Sequence, residues 1–89
     1  MFDVDWMESA VIRVASAWMG ADSATRAAIT SASHEIDHIL AVDPIHAGES
    51  RDANRRILIA DPLAAVYEID EERRTVSVVD VVVRRRRQA

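Results

Sequence analysis

The stretch RRILIADPLAAVYEIDEERRTVSVVDVVV, residues 55–83, determines the predicted fold. Its apolar segments, RRILIA, LAAVYEI and TVSVVDVVV, are separated by Asp61-Pro62 and by DEERR. Apolar and β-branched runs bounded by short polar turns are typical of strands joined as hairpins. We therefore predict a three-stranded antiparallel meander in the second half of the chain.

The first half predicts one strand and two helices. FDVDW, residues 2–6, alternates apolar and acidic residues with the period of a half-buried strand. A first helix follows and ends at Gly20, and its apolar stripe consists of Met7, Val11, Val14 and Trp18. A second helix, capped by Asp22 or Ser23 and ended by Asp43-Pro44, has an apolar stripe of Ala28 or Ile29, Ala32, Ile36 and Ile39 or Leu40. Residues 44–53 read as a loop.

This order predicts a single α+β domain over residues 1–89. The elements run β-α-α-β-β-β, and an antiparallel sheet packs against a two-helix hairpin. A chain of 89 residues has room for one hydrophobic core. It has no cysteine for a disulfide or thiolate site, and none of its apolar runs approaches the length needed to span a bilayer. We expect a cytoplasmic protein.

The charge is unevenly distributed. The net charge is −4 and all eleven basic residues are arginine. Residues 1–50 contain two arginines and eight acids, whereas residues 51–89 contain nine arginines and seven acids. Because arginine suits bidentate contacts to phosphate and carboxylate, this surplus favours an anionic partner near the C-terminal end. High-GC coding is the alternative explanation for the missing lysines.

The last strand predicts a second functional surface. By alternation, Val79, Val81 and Val83 should face the helices. The opposite face should present an apolar strip with a charge in it, formed by Val76, Val78, Asp80 and Val82. Such an exposed strip indicates a partner surface. A homodimer interface or a covered strand is the alternative.

The arginines themselves form two groups. Arg51, Arg55 and Arg56 precede and open one strand, and Arg84–Arg87 leave another. We expect both groups near one end of the open face, where they would bind a phosphate backbone. The alternative is a solvated or disordered tail.

HEIDH, residues 34–38, formally matches the zinc protease pattern H-E-x-x-H. The extended pattern would need Gly and His where this chain has Ala41 and Pro44, so a metalloprotease is disfavoured. We predict a solvent-facing stretch with Ile36, Ile39 and Leu40 inward. The sequence predicts no metal and no cofactor, contains no nucleophile motif, and places Tyr67 in the core or on the sheet.

Two segments of the chain carry a family resemblance: IDHILAVDP, residues 36–44, and GESRDANRRILIADPLAAVYEIDEERRTVSVVDVVVRRR, residues 48–86. Through these segments the chain resembles the RelE/ParE superfamily of type II toxin-antitoxin toxins, a plasmid stabilisation protein-like group. The resemblance implies a bacterial growth inhibitor that an antitoxin neutralises. RelE-like members cleave ribosome-bound messenger RNA, so they are endoribonucleases that bind RNA, whereas ParE-like members inhibit DNA gyrase.

The resemblance also implies roles for particular residues. Arg55, Arg84 and Arg86 match basic catalytic positions, and the remaining target-binding residues would be Arg51, Arg56, Arg85 and Arg87. Antitoxin binding falls on Val76, Val78, Asp80 and Val82. The sequence departs from active nucleases at Ala64, where they have an arginine, and it ends before their terminal tyrosine or histidine. A gyrase-inhibiting or catalytically silent toxin is therefore as well supported as a nuclease. The alternative to a toxin is a non-toxic interaction module or homodimer of the same fold.

Overall fold

The computed structural model describes residues 1–52 and 54–84. In chain order its elements are β1 (Asp3–Trp6), α1 (Glu8–Met19), α2 (Ser23–Val42), α3 (Pro44–Ala47), β2 (Glu49–Ser50), β3 (Arg55–Ala60), β4 (Leu63–Asp70) and β5 (Thr75–Val83). The predicted strands and both long helices are confirmed. The loop predicted for residues 44–53 is wrong in its first part, because that segment forms α3 and β2.

The strands form one five-stranded sheet in the order β1-β5-β4-β3-β2. The predicted meander is confirmed, because β3, β4 and β5 pair antiparallel in sequence. β1 instead pairs with β5 in parallel. A parallel neighbour requires a long crossover, and both helices supply it on one face of the sheet. The α+β class is confirmed, with one parallel edge in a sheet expected to be wholly antiparallel.

The hydrophobic core lies between the helices and this face of the sheet. The buried stripe of α2 matches the prediction and consists of Ile29, Ala32, Ile36 and Leu40. The stripe predicted for α1 is confirmed at Val14, which packs against the core, and is wrong elsewhere. Met7, Val11 and Trp18 remain substantially exposed, whereas Ala10 is fully buried and Ala17 packs against the core. Small side chains let α1 lie close to β5, with Ser9 Oγ donating to Val79 O at 3.0 Å.

An extra residue in β5 reverses which of its side chains face the core. Tyr67 pairs with Val78 but Val66 pairs with Asp80, so the register shifts there and Val79 has no partner in β4. Such a bulge inverts the alternation of all later residues. The orientation predicted for Val81 and Val83, after the bulge, is confirmed, because Val81 is buried and Val83 packs against the core, whereas the orientation predicted for Val76 and Val78, before it, is wrong. Both are fully buried in the core and do not belong to an exposed strip.

The chain between α2 and β3 is held against the sheet by Tyr67. Its ring is fully buried, as expected, and its hydroxyl donates to Pro44 O at 2.7 Å. Gly48 passes close to this ring. A Cβ at Gly48 would lie 2.5 Å from Tyr67 Oη and 2.6 Å from Ile57 O, so no larger side chain fits without a shift.

Gly48→Ala should therefore lower the free energy of unfolding by about 1–3 kcal/mol, the usual cost of overpacking. Gly20→Ala is the matched control, because its nearest contact would be Ser16 O at 3.7 Å and its backbone is right-handed helical. That control should be neutral or stabilising by about 0.4–1 kcal/mol. Urea denaturation measures both, and equal effects of the two substitutions would contradict the packing argument.

Asp22 caps α2. Its carboxylate accepts a hydrogen bond from Thr25 N at 2.8 Å. Hydrogen bonds from the Thr25 backbone N–H and then from the Thr25 side chain lower the pKa of Asp22 below its ordinary value. A lowered pKa in the folded state means that the ionised carboxylate stabilises the fold. This stabilisation is complete above about pH 3.9 and is lost as the pH falls through the lowered pKa.

Asp22→Asn should accordingly be less stable than the wild type at pH 7, and this difference should disappear on acidification below the lowered pKa. Thermal melts followed by circular dichroism at a series of pH values test this. Ser23→Ala is the control, since it changes the first turn of α2 without removing a carboxylate. A gap between Asp22→Asn and wild type that stays constant with pH would contradict the assigned cause.

Candidate functional site

The face of the sheet that points away from the helices carries a continuous apolar strip. Ile57 pairs with Val66, and Ala64 lies between Ile59 on β3 and Val82 on β5. These five residues are called the apolar strip below. Ile59 is 51% exposed and Val82 is 45% exposed, whereas Ala64 between them is 4% exposed. The strip therefore presents two apolar side chains beside a shallow depression, a surface suited to contact with protein.

The predicted exposure of Val82 is confirmed, and Asp80 lies on the same side of β5, paired with Val66. Ile57 and Ile59 are strip residues that the sequence analysis missed. Their signal is the alternation in RRILIA, where Leu58 and Ala60 point inward and Ile57 and Ile59 outward. The contact of Asp80 and Val82 with an antitoxin stays a prediction.

Arginine side chains around this face are matched with carboxylates. The pairs, with their N to O distances, are Arg55 Nε with Glu68 Oε2 (2.9 Å), Arg84 Nη1 with Asp61 Oδ1 (3.1 Å) and Arg13 Nε with Asp80 Oδ1 (3.7 Å). All six side chains are more than a third exposed, so each pair contributes little to stability. Their effect is to reduce the positive potential near the apolar strip.

The expected convergence of the two arginine groups is wrong for Arg55 and Arg84. Arg55 pairs with Glu68, whereas Arg84 follows Val83, which pairs with Leu63. β3 and β5 both run antiparallel to β4, so the start of one and the end of the other lie at opposite ends of the sheet. Five residues along β4 correspond to about 17 Å. One phosphate group cannot contact both arginines.

The other arginines divide between the helix side and the loops. Arg56 points to the helix side, where Nη2 donates to Gly48 O at 2.6 Å. Its buried Nε has no partner within the described part of the chain. Arg51 is exposed in the turn before β3. Arg85, Arg86 and Arg87 lie outside the described residues, so their roles stay predictions, as do the catalytic and target-binding roles of the others.

The HEIDH stretch lies on the outside of α2. His34, Glu35 and His38 are exposed, and Ile36 and Leu40 are buried, which confirms the solvent-facing interpretation. Asp37 Oδ1 accepts a hydrogen bond from Trp6 Nε1 at 3.0 Å. Across residues 1–52 and 54–84 no three potential metal ligands lie close enough together to hold an ion. This stretch therefore connects α2 to β1 through Asp37.

A groove of about 490 Å³ lies between α1 and α2. Its walls include Trp6, Val11, Trp18, Ile29 and His34, and it is called the α1–α2 groove below. The sequence analysis missed it because the spacing of Val11 and Trp18 reads equally well as a core stripe. Exposure of a stripe can be decided only when the position of the neighbouring helix is known.

Several solved structures with a similar architecture are RelE proteins. The RelBE2 toxin-antitoxin complex from Mycobacterium tuberculosis matches with a TM-score of 0.72 at 16% identity, over 93% of this chain and 91% of that chain. The isolated E. coli RelE toxin matches with a TM-score of 0.65 at 19% identity, over 99% and 89%. The archaeal RelE-RelB complex from Pyrococcus horikoshii OT3 matches with 0.63 at 12% identity, over 97% and 98%.

The chain has the RelE fold. No protein-family model matches its sequence, and no curated protein does. At these identities the RelE fold is what the likeness establishes, since one fold supports several activities. No helix among the described residues is long and apolar enough to cross a membrane.

Ala64 occupies a notable place on this RelE fold. The family resemblance implies a phosphate-binding arginine at this position in active nucleases. Here a methyl group lies at the centre of the apolar strip, and Ile59 and Val82 on either side leave it almost fully covered. Among the described residues, the centre of this face therefore offers apolar contact in place of a cation.

Because carboxylates neutralise Arg55 and Arg84, Glu68→Gln with Asp61→Asn should strengthen binding to a single-stranded RNA oligonucleotide. The gain should be visible at low salt, with the salt slope steeper by about 0.7 for each added phosphate contact. Glu35→Gln with Glu8→Gln is the control, since it raises the net charge equally and both carboxylates are exposed on the helices. Equal gains for both double variants would mean that total charge, and not this face, controls binding. Fluorescence anisotropy at several salt concentrations measures the effect.

Proposed function

We propose that this chain is the toxin component of a type II toxin-antitoxin module, active on bacterial growth and neutralised by a cognate antitoxin. The observation that carries the proposal is the full-length likeness to RelE proteins, three of which were solved with their antitoxins. In the intact E. coli RelBE complex the likeness extends over 98% of this chain and 100% of that chain, with a TM-score of 0.62 at 20% identity. An antitoxin is therefore the partner we assign to it.

The surface chemistry supports such a partner. The apolar strip is an exposed apolar surface at the centre of the open face, where Ile59 and Val82 are about half exposed. A domain seldom leaves such a surface without a partner. An antitoxin segment that crosses the sheet would cover it.

For the target, we propose two candidates that differ in chemistry. Cleavage of ribosome-bound messenger RNA requires cations to stabilise the charged transition state and groups to move protons. Arg55 and Arg84 remain close enough to the surface to contribute cations, once RNA displaces Glu68 or Asp61. For proton transfer the described part of the open face offers the exposed carboxylates of Glu68 and Asp61, since Tyr67 is buried and its hydroxyl donates to Pro44 O.

Inhibition of a protein target such as DNA gyrase is the second candidate. It is favoured by the apolar strip, which lies at the centre of the open face with Ala64 in place of a cation. Protein interfaces gain from apolar centres bordered by polar groups. In this case the chain would act without catalysis.

Controlled expression in a bacterial host separates these candidates. Growth, messenger RNA integrity and plasmid supercoiling are measured in parallel, with and without the product of the adjacent reading frame as antitoxin. Growth arrest relieved by that product supports the toxin assignment. Cleaved translated messages identify the nuclease, and loss of supercoiling with intact messages identifies the gyrase inhibitor. Normal growth at confirmed expression levels would leave a non-toxic interaction module.

Arg84→Ala with Arg86→Ala should abolish the arrest if the C-terminal arginines bind the target. Arg73→Ala with Arg74→Gly removes the same charge from the β4–β5 turn, where Arg74 has a φ of 53° that glycine tolerates. We expect this control to arrest growth like the wild type. Loss of arrest in both double variants would assign the effect to net charge alone.

A further inference from the structure

The outward side of α1 is unusually apolar for a surface helix. Its charged residues are Glu8 and Arg13. Large apolar side chains remain exposed on or beside it, at Met7 (45%), Val11 (49%), Ile12 (54%), Trp18 (40%) and Met19 (73%). A helix that is apolar on several sides is normally covered by another element. No element among the described residues covers this side of α1.

The shape of this surface is a ridge beside a groove. Ile12, Ala15 and Met19 follow the spacing i, i+3 and i+7, so they form one ridge along α1. Ala15 and Met19 of this ridge also form the rim of the α1–α2 groove, whose walls carry Val11 and Trp18 on the α1 side and Ile29 on the α2 side. A surface that holds a ridge and a groove side by side is complementary to itself after a two-fold rotation.

From this shape we propose that two copies of the chain associate through α1. The two α1 helices run antiparallel about a two-fold axis near Ala15, and the ridge of each copy enters the α1–α2 groove of the other. Ala15 has a small side chain, which permits close approach at the axis. Met19 of one copy then meets Val11 of the second copy.

Charge also favours the antiparallel arrangement. Glu8 lies in the first turn of α1. At the opposite end, the Arg26 guanidinium lies 4.3 Å from the Trp18 ring centroid and donates to Trp18 O and Met19 O. Antiparallel packing brings Glu8 of one copy towards Arg26 of the other and opposes the two helix dipoles.

The available area suits a reversible dimer. The exposed parts of these apolar side chains amount to roughly 500 Å² in each copy, or about 1,000 Å² in a pair, at the lower limit for a specific interface. We therefore expect association in the micromolar range. The proposed dimer goes beyond the toxin assignment and does not depend on it. Sedimentation measures association of the chain, whereas growth arrest measures toxicity.

Sedimentation equilibrium of the purified full chain over about 1–300 μM provides the test. We expect a monomer–dimer equilibrium that Met19→Glu and Ile12→Glu each weaken at least tenfold. Ile59→Glu is the matched control, since Ile59 is similarly exposed on the apolar strip, and it should leave the equilibrium unchanged. Circular dichroism checks that every variant is folded.

A mixing experiment tests the antiparallel register. Met19→Glu and Val11→Arg should each be monomeric, and their mixture should dimerise, because one of its two symmetry-related contacts becomes an ion pair and the other stays native. A wild-type chain that remains monomeric throughout the range would overturn the proposal and leave α1 to another protein. Dimerisation lost in Ile59→Glu but kept in Met19→Glu would overturn it in favour of the sheet face.

Discussion

The extra residue in β5 is the constraint on which the arrangement of the whole sheet depends. β5 is the strand that pairs with both β1 and β4, and the start of α1 contacts its middle, where Met7 N donates to Val78 O and Ser9 Oγ donates to Val79 O. Val79 is the extra residue and has no partner in β4. Val76 and Val78 before it and Val81 after it therefore all face the helices. Without the bulge, one half of β5 would turn its valines away from the core, and burial of those side chains stabilises by about 1.5–3 kcal/mol each.

The same bulge determines what the open face can do. After Val79, Val82 points away from the helices and lies beside Ala64 of β4, whereas the Asp80 carboxylate lies 3.7 Å from Arg13 Nε of α1. Val82 completes the apolar strip with Ile59 and Ala64. This face is therefore apolar at the centre, and its charged groups are balanced at the edges, a pattern common in protein interfaces.

A second set of contacts holds the segment that connects helix α2 to strand β3. The Tyr67 hydroxyl and the Arg56 guanidinium bind the carbonyls of Pro44 and Gly48, and the missing side chain of Gly48 makes room for the tyrosine ring. The use of Arg56 in this role removes it from the open face. One arginine of the RRILIA segment thus stabilises the fold, while its neighbour Arg55 lies on the other side of the strand. Alternation along a strand separates the two roles.

Local sequence determined the elements of this protein. Period-two alternation in FDVDW, helical spacing with the Asp22 cap, and the turns at Asp61-Pro62 and at DEERR each act over a few residues. β1, the two long helices and the meander of β3, β4 and β5 could therefore be predicted, whereas α3 and β2 were missed. The buried stripe of α2 could be predicted for the same reason. The predictions that were wrong concerned side-chain orientation, which depends on the neighbouring strands and helices. The pattern of β5 alone does not show the register shift at Val79, which exists only relative to β4.

The tertiary structure alone decided where the remaining side chains point. Val11 and Trp18 form a regular stripe, but only the position of α2 shows that they line an exposed groove. Arg55 and Arg84 are both strand-end arginines in the sequence, and only the antiparallel pairing with β4 separates them by the length of the sheet. Secondary structure follows from short-range preferences, whereas a site depends on which distant segments pack together, and that is fixed by the burial of the whole core.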